Sequence, residues 1–223
     1  MSGTVKLTAA DGYVLDAYRA DPAAAAKGGV VVLQEVFGLN PYIHEVCEDY
    51  ARRGYAAVAP SLYDRQQPGA SFGYTDAEMK AARALRVKLE WEKVELDVAA
   101  AIDALRPLRV GAVGYCLGGS VSWLAACRLG VEAAACYYPT DIARQYRDTP
   151  HCPVVMHFAA RDHIVSLETV EKFKAAHPEI PAHIYAADHG FNCWKRPEAG
   201  YDAAASALAL DRTLSLFERC LAR

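Results

Sequence analysis

The sequence predicts a three-layer α/β protein, with a mainly parallel sheet between helices and an antiparallel hairpin at its N-terminal edge. Three observations point there. Short apolar runs recur along the chain, several of them apolar on successive residues rather than alternating, as in strands covered on both faces. Helix-like stretches separate the runs, and such alternation implies parallel strands joined by crossovers. Val5 to Arg19 alternates weakly around Asp11-Gly12, a strong hairpin-turn dipeptide.

The expected strands after the hairpin are Val30–Leu33, Tyr55–Ala59, Val110–Tyr115, Ala133–Tyr138, Val154–Ala159 and His183–Ala186. Helices are expected over Pro41–Arg53, Asp76–Leu105, Gly119–Leu129, Leu167–His177 and Tyr201–Leu221. The first of these opens on Asn40-Pro41, an N-cap followed by proline at the first helical position. Ala23 to Ala26 is the one low-complexity stretch, and Lys27-Gly28-Gly29 turns it into a short connection. With no repeat and no linker, residues 1–223 are expected to form a single domain.

Composition bounds the function. The chain is 53% hydrophobic and 23% charged, as expected of a globular protein with a large core. A formal net charge of −3 provides no positive field for nucleic acid or anionic lipid. No run approaches the ~18 apolar residues of a membrane span. The first residues lack the basic and apolar regions of a secretory signal. A cytoplasmic location is therefore expected, with neither nucleic acid nor membrane as partner. The seven cysteines are odd in number and none pair at C-x-x-C spacing, so neither a disulfide framework nor a zinc site is suggested.

Ligands in open α/β sheets bind beyond the carboxyl ends of the strands, so each candidate residue can be judged by its place at a strand end. The most informative segment is Gly114-Tyr115-Cys116-Leu117-Gly118-Gly119, where a strand runs through a glycine-rich turn into a helix. This is the nucleophile-elbow pattern with cysteine in place of serine. Side chains two residues either side of the nucleophile would clash with neighbouring backbone, hence the glycines. Cys116 would stand at a helix N-terminus, which favours a thiolate, and the Leu117 N–H would be an oxyanion donor. The motif lacks both Gly-x-Gly-x-x-Gly and Gly-Lys-Ser/Thr, which argues against a phosphate loop.

In the α/β-hydrolase fold the chain order is nucleophile, acid, histidine. Asp162 follows the run Val154–Ala159 and His189 follows His183–Ala186, both at strand ends and in that order. His189 would take the thiol proton, or stabilise the thiolate as an imidazolium, and later protonate the leaving oxygen, and Asp162 would fix its tautomer. His163 and Asp188 are their near neighbours. Asp188 is expected to cap or orient its own turn, and His157, in mid-strand, to be buried and hydrogen-bonded. His157, Asp162, His163 and His189 lack zinc-type spacing, so neither metal nor cofactor is expected.

With these motifs in hand, the chain resembles the dienelactone hydrolase family of carboxymethylenebutenolidase-like enzymes. Gln34-Glu35-Val36-Phe37-Gly38-Leu39-Asn40, Arg161-Asp162-His163 and Asp188-His189-Gly190-Phe191 match further segments of that family, from about Gly28 onward. The resemblance implies a small ester or lactone and water as partners and a thioester acyl-enzyme; a monomer or homodimer is expected. It also implies that Glu35 gates the thiol and that the Val36 N–H is the second oxyanion donor. Related enzymes hold a substrate carboxylate with arginines, one of them shortly after the histidine. Here that stretch reads Gly190-Phe191-Asn192-Cys193, and the nearest cations are Lys195 and Arg196. Arg83 and Arg86 are further candidates. Tyr63, Tyr74, Phe37, Trp123 and Phe191 are aromatic candidates for the pocket lining, and Phe37, Arg83 and Phe191 are taken as substrate contacts. Two other readings compete with hydrolysis: thiol redox or transfer chemistry at Cys116, and a non-catalytic interaction protein on the same fold.

Overall fold

A computed structural model describes residues 1–197 and 200–222. Its eight strands are β1 (Ser2–Thr8), β2 (Val14–Ala20), β3 (Gly29–Leu33), β4 (Ala56–Pro60), β5 (Val110–Tyr115), β6 (Ala133–Tyr137), β7 (Val154–Arg161) and β8 (Ala182–Asp188). They form one sheet in the order β1-β2-β4-β3-β5-β6-β7-β8. The hairpin β1–β2 is antiparallel and joins β4 antiparallel, whereas every pair from β4 to β8 is parallel. The described helices are α1 (Pro41–Arg52), α2 (Asp76–Arg86), α3 (Trp91–Asp103), α4 (Leu117–Arg128), α5 (Ile142–Gln145), α6 (Leu167–Ala176) and α7 (Ala203–Leu221).

The unalternating apolar runs are explained by burial on both faces. In β5, Val113 and Tyr115 join one core with Tyr42, Val46 and Tyr50 of α1 and Phe217 of α7. Val110 and Ala112 join the other, with Val98 of α3 and Val121 of α4. At the far edge Trp123 packs with Phe158 and with Phe173 of α6. Helix α4 is apolar all round because it is enclosed, with only Arg128 of its twelve residues outside the buried class.

The stretch expected to be one helix, Asp76–Leu105, is two. It breaks across Val87–Glu90 with no glycine or proline to mark the place. An unbroken helix there would run ~45 Å, well beyond the strands it must cover. The chain instead lays α3 on the sheet and leaves α2 above the strand ends. Elsewhere boundaries shift by a residue or two, and α4 begins immediately after Cys116 rather than at Gly119.

Strand order reverses at β3: the chain goes from β3 to β4 on one side and then returns to β5 on the other. The crevice at such a switch point is where α/β sheets bind ligands. Leu33 is in register with Gly114, so Glu35 and Cys116, each two residues further on, emerge level with one another.

Helix α7 is tied to the sheet by a buried polar chain. Thr213 Oγ1 meets Tyr137 Oη at 2.8 Å and His157 Nε2 at 3.1 Å, and His157 Nδ1 meets Tyr185 Oη at 2.8 Å. Burial first, then His183 and Arg212, hold the His157 pKa well below its usual value, so the ring is neutral. Thr213→Val leaves a tyrosine hydroxyl and an imidazole nitrogen unpaired in the core and should cost about 2–4 kcal/mol. Urea unfolding checks this, and an unchanged midpoint would remove the network from the account of stability.

Candidate active site

The turn that carries Cys116 is built as its glycines require. Cys116 has φ 57° and ψ −114°, a conformation that costs a non-glycine residue about 1–3 kcal/mol and persists only where its surroundings impose it. The imposition is close packing: a Cβ at Gly118 would collide with the Leu33 carbonyl, and one at Gly114 with the Gly118 carbonyl. The Cys116 N–H donates to the Tyr137 carbonyl at 3.0 Å, and its own carbonyl accepts from Gly119 at 3.1 Å. The Leu117 N–H is in the first turn of α4, whose donors lack partners within the helix.

Asp162 and His189 directly follow β7 and β8. His189 Nδ1–H donates to Asp162 Oδ2 at 2.8 Å, with both side chains buried. The other carboxylate oxygen accepts the N–H groups of Ile164 at 2.7 Å and Val165 at 3.0 Å. Burial works against the charge on Asp162, but the His189 bond and these N–H groups prevail and lower its pKa. Burial likewise opposes charge on His189, yet Asp162 and the neighbouring Cys116 push its pKa up to about 10. His189 Nε2 has no hydrogen-bond partner that meets normal geometry, so the group that acts on it from that side is Cys116. Tyr138, at φ 37°, packs edge-on against the imidazole at 4.9 Å between centroids.

Glu35 is 3% exposed, and its Oε2 has no partner. Burial pushes its pKa up to about 7, against the pull of Arg196, His189 and a hydrogen bond with Cys193. The Val36 carbonyl accepts Tyr63 Oη–H at 2.9 Å, which pins the peptide that follows.

These residues surround one cavity of about 460 Å³, lined by Glu35, Val36, Phe37, Cys116 and His189, a volume within the usual range for small-molecule sites. Arg83, expected as a substrate contact, also lines it, together with Arg86, Arg196 and His163. Phe191 does not. It is fully buried beneath Tyr138 and Tyr185, at 5.2 and 5.0 Å between ring centroids, because the Gly190 turn directs it into the core. Tyr63 and Trp123 are likewise core residues, and Tyr74 stands behind Phe37. Asp188 does not cap its own turn but pairs with Arg161 at 2.9 Å.

Sequence reasoning assigned His163 no pocket role and named Arg196 only among the nearest cations after His189. The ring of His163, a near neighbour of Asp162, lies 5.9 Å from that of His189. The Arg196 guanidinium lies 5.4 Å from both the Phe37 and Tyr74 rings. Its only sequence signal was its being one of the nearest cations downstream of His189. Among the described residues, no three His, Cys, Asp or Glu side chains are grouped to hold a metal, and no helix is long and apolar enough to cross a membrane.

Known proteins resemble this chain in sequence and in fold. The carboxymethylenebutenolidase of Pseudomonas putida is 33% identical over 94% of this chain and 93% of its own. A dienelactone hydrolase-like promiscuous phosphotriesterase from metagenomic libraries shares the fold at a TM-score of 0.77, with 21% identity over 99% of both chains. An esterase of Pyrococcus furiosus superposes at 0.67, with 16% identity over 99% of this chain and 93% of its own. Residues 15–221 match the dienelactone hydrolase family, and the chain belongs to that family.

Proposed function

We propose that the protein hydrolyses a small ester or lactone through a Cys116–His189–Asp162 triad and a thioester acyl-enzyme. One observation carries the reading. A cysteine on a strained strand-to-helix turn shares a cavity with a histidine whose Nδ1 is held by a carboxylate and whose Nε2 is unpartnered.

The chemistry follows from the geometry. His189 Nε2 takes the thiol proton, and the imidazolium formed is stabilised by Asp162. Sγ attacks the carbonyl carbon, and the oxyanion that develops is met by the N–H groups of Leu117 and Val36. Collapse breaks the bond to the alkoxy oxygen, which His189 protonates. For a lactone this group stays attached to the acyl chain. Water, deprotonated by His189, then cleaves the thioester and releases the carboxylic acid.

Three arginines line the cavity, but they are not equivalent. Arg86 is neutralised by Asp141 at 2.6 Å. No carboxylate pairs with Arg83 or Arg196 within salt-bridge distance among the described residues, which favours a substrate carrying an anionic group. An anion that engages Arg196 also withdraws a cation from Glu35. That pushes the Glu35 pKa further up and neutralises the gate as substrate arrives.

The test is hydrolysis of p-nitrophenyl acetate and cis-dienelactone. Cys116→Ala and His189→Ala should lower kcat at least ~10³-fold, and Asp162→Asn at least ~10²-fold. Turnover that survives both of the first two substitutions contradicts the triad.

Glu35 supplies a second, independent prediction. Its carboxyl ionises near pH 7 when folded, against an ordinary value of 4.5. Between those values the folded protein binds more protons than the unfolded chain, so this group's contribution to stability falls as pH rises. The loss should approach ~3 kcal/mol and level off above pH 7. Unfolding of wild type and Glu35→Gln should therefore diverge over pH 4.5–7, the wild type losing stability relative to the variant. Other titrating groups cancel in the comparison, and parallel curves would show that Glu35 is not buried as described.

A further inference from the structure

One wall of the cavity is a single helix. Met79, Arg83 and Arg86 of α2, with Val87 just past its end, line it on successive turns. That wall is thinly attached. Only Ala82 and Leu85 of α2 are buried: Ala82 belongs to a small cluster with Val36 and Phe37, and Leu85 alone reaches the core shared with Val94 and Val98 of α3. The capping bonds of Glu78, with Thr75 and Gly73, are local. Among the described residues, one side-chain polar bond ties α2 to the rest of the fold: Arg86 Nη2 to Asp141 Oδ2 at 2.6 Å.

The other end of that bond is built into the nucleophile turn. The Asp141 N–H donates to buried Ser120 Oγ of α4 at 2.8 Å. Thr140 Oγ1 donates to Asp141 Oδ2 at 3.2 Å, and the Thr140 N–H donates to the Cys116 carbonyl at 3.4 Å. The pair is also shielded, with Arg86 31% and Asp141 12% exposed, so solvent weakens it less than a fully exposed bridge.

We infer that Asp141 is a positioning residue: through Arg86 it latches the α2 wall, and with it Arg83, to the turn that carries Cys116. Asp141 touches no reacting atom in the scheme above. Releasing it frees the wall to move outward and loosens substrate binding, while Cys116, His189 and Asp162 keep their places on other elements. The kinetic consequence rests on the hydrolase reading, whereas the structural one does not.

The test uses Asp141→Asn, Arg86→Met and the double variant. Asp141→Asn keeps the backbone bond to Ser120, so the turn itself is preserved. Amide hydrogen exchange on the unliganded proteins should quicken about three- to fivefold across residues 79–87 in either single variant. The double variant should add nothing, and exchange in β5 and α4 should stay at the wild-type rate. With the mono-p-nitrophenyl ester of succinic acid, KM should rise about three- to fivefold and by more than kcat falls, and Asp141→Glu should recover part of the loss.

Unchanged exchange in α2, or losses that add in the double variant, would overturn the latch. A lower KM in Asp141→Asn would overturn it too, since Asp141 would then compete with substrate for Arg86. Should Asp141→Asn not fold, Arg86→Met, altered at the half-exposed end, reads the same exchange. A wild type that cleaves neither p-nitrophenyl acetate nor the succinate ester sinks the hydrolase reading, and the exchange result still decides the latch.

Discussion

The site depends on how closely α4 is pressed against the ends of β3, β5 and β6. At Gly118 and Gly114 the neighbouring carbonyls lie where a side chain would have to be. That proximity holds Cys116 in a left-handed conformation and turns its thiol out of the sheet into the crevice. It also brings the first N–H groups of α4 to the same point as the thiol. The Cys116 thiol and the N-terminus of α4 are thus set by one packing constraint, and a methyl group at either glycine would disturb both.

Around that point the polar groups are arranged with deliberate gaps. Asp162 has both oxygens occupied, one by His189 and the other by two backbone N–H groups, so it can orient the imidazole and nothing else. His189 Nε2 and Glu35 Oε2, by contrast, are buried without partners. An unmet buried polar atom costs about 1–3 kcal/mol, and native folds keep few of them. Both side chains line the cavity that also holds Cys116.

Most of the fold was legible because the central strands β3 to β7 are buried on both faces and several connections obey short-range chemistry. Asp11-Gly12 made the hairpin, and Asn40-Pro41 began α1 with the expected cap. The break between α2 and α3 was not legible, since the length of the sheet, rather than any residue at Val87–Glu90, decides it. The constellation Cys116, Asp162 and His189 could be read because each follows a strand. Arg196 could not, because its approach to Phe37 depends on how the chain after His189 folds back. Phe191 failed for the opposite reason: its motif marks the loop that carries His189, but the Gly190 turn sends the ring inward. The Arg86–Asp141 latch joins residues 55 apart in sequence and left no local trace.

The central claim is that acyl transfer passes through the sulfur of Cys116. Mass spectrometry of the intact protein, acid-quenched during turnover of p-nitrophenyl acetate, tests it most directly. The account predicts a single acetyl group of thioester lability (removed by hydroxylamine) on the peptide containing Cys116, and none in Cys116→Ala. Steady turnover with an unmodified Cys116, or an acetyl group elsewhere that turns over at the catalytic rate, would contradict it.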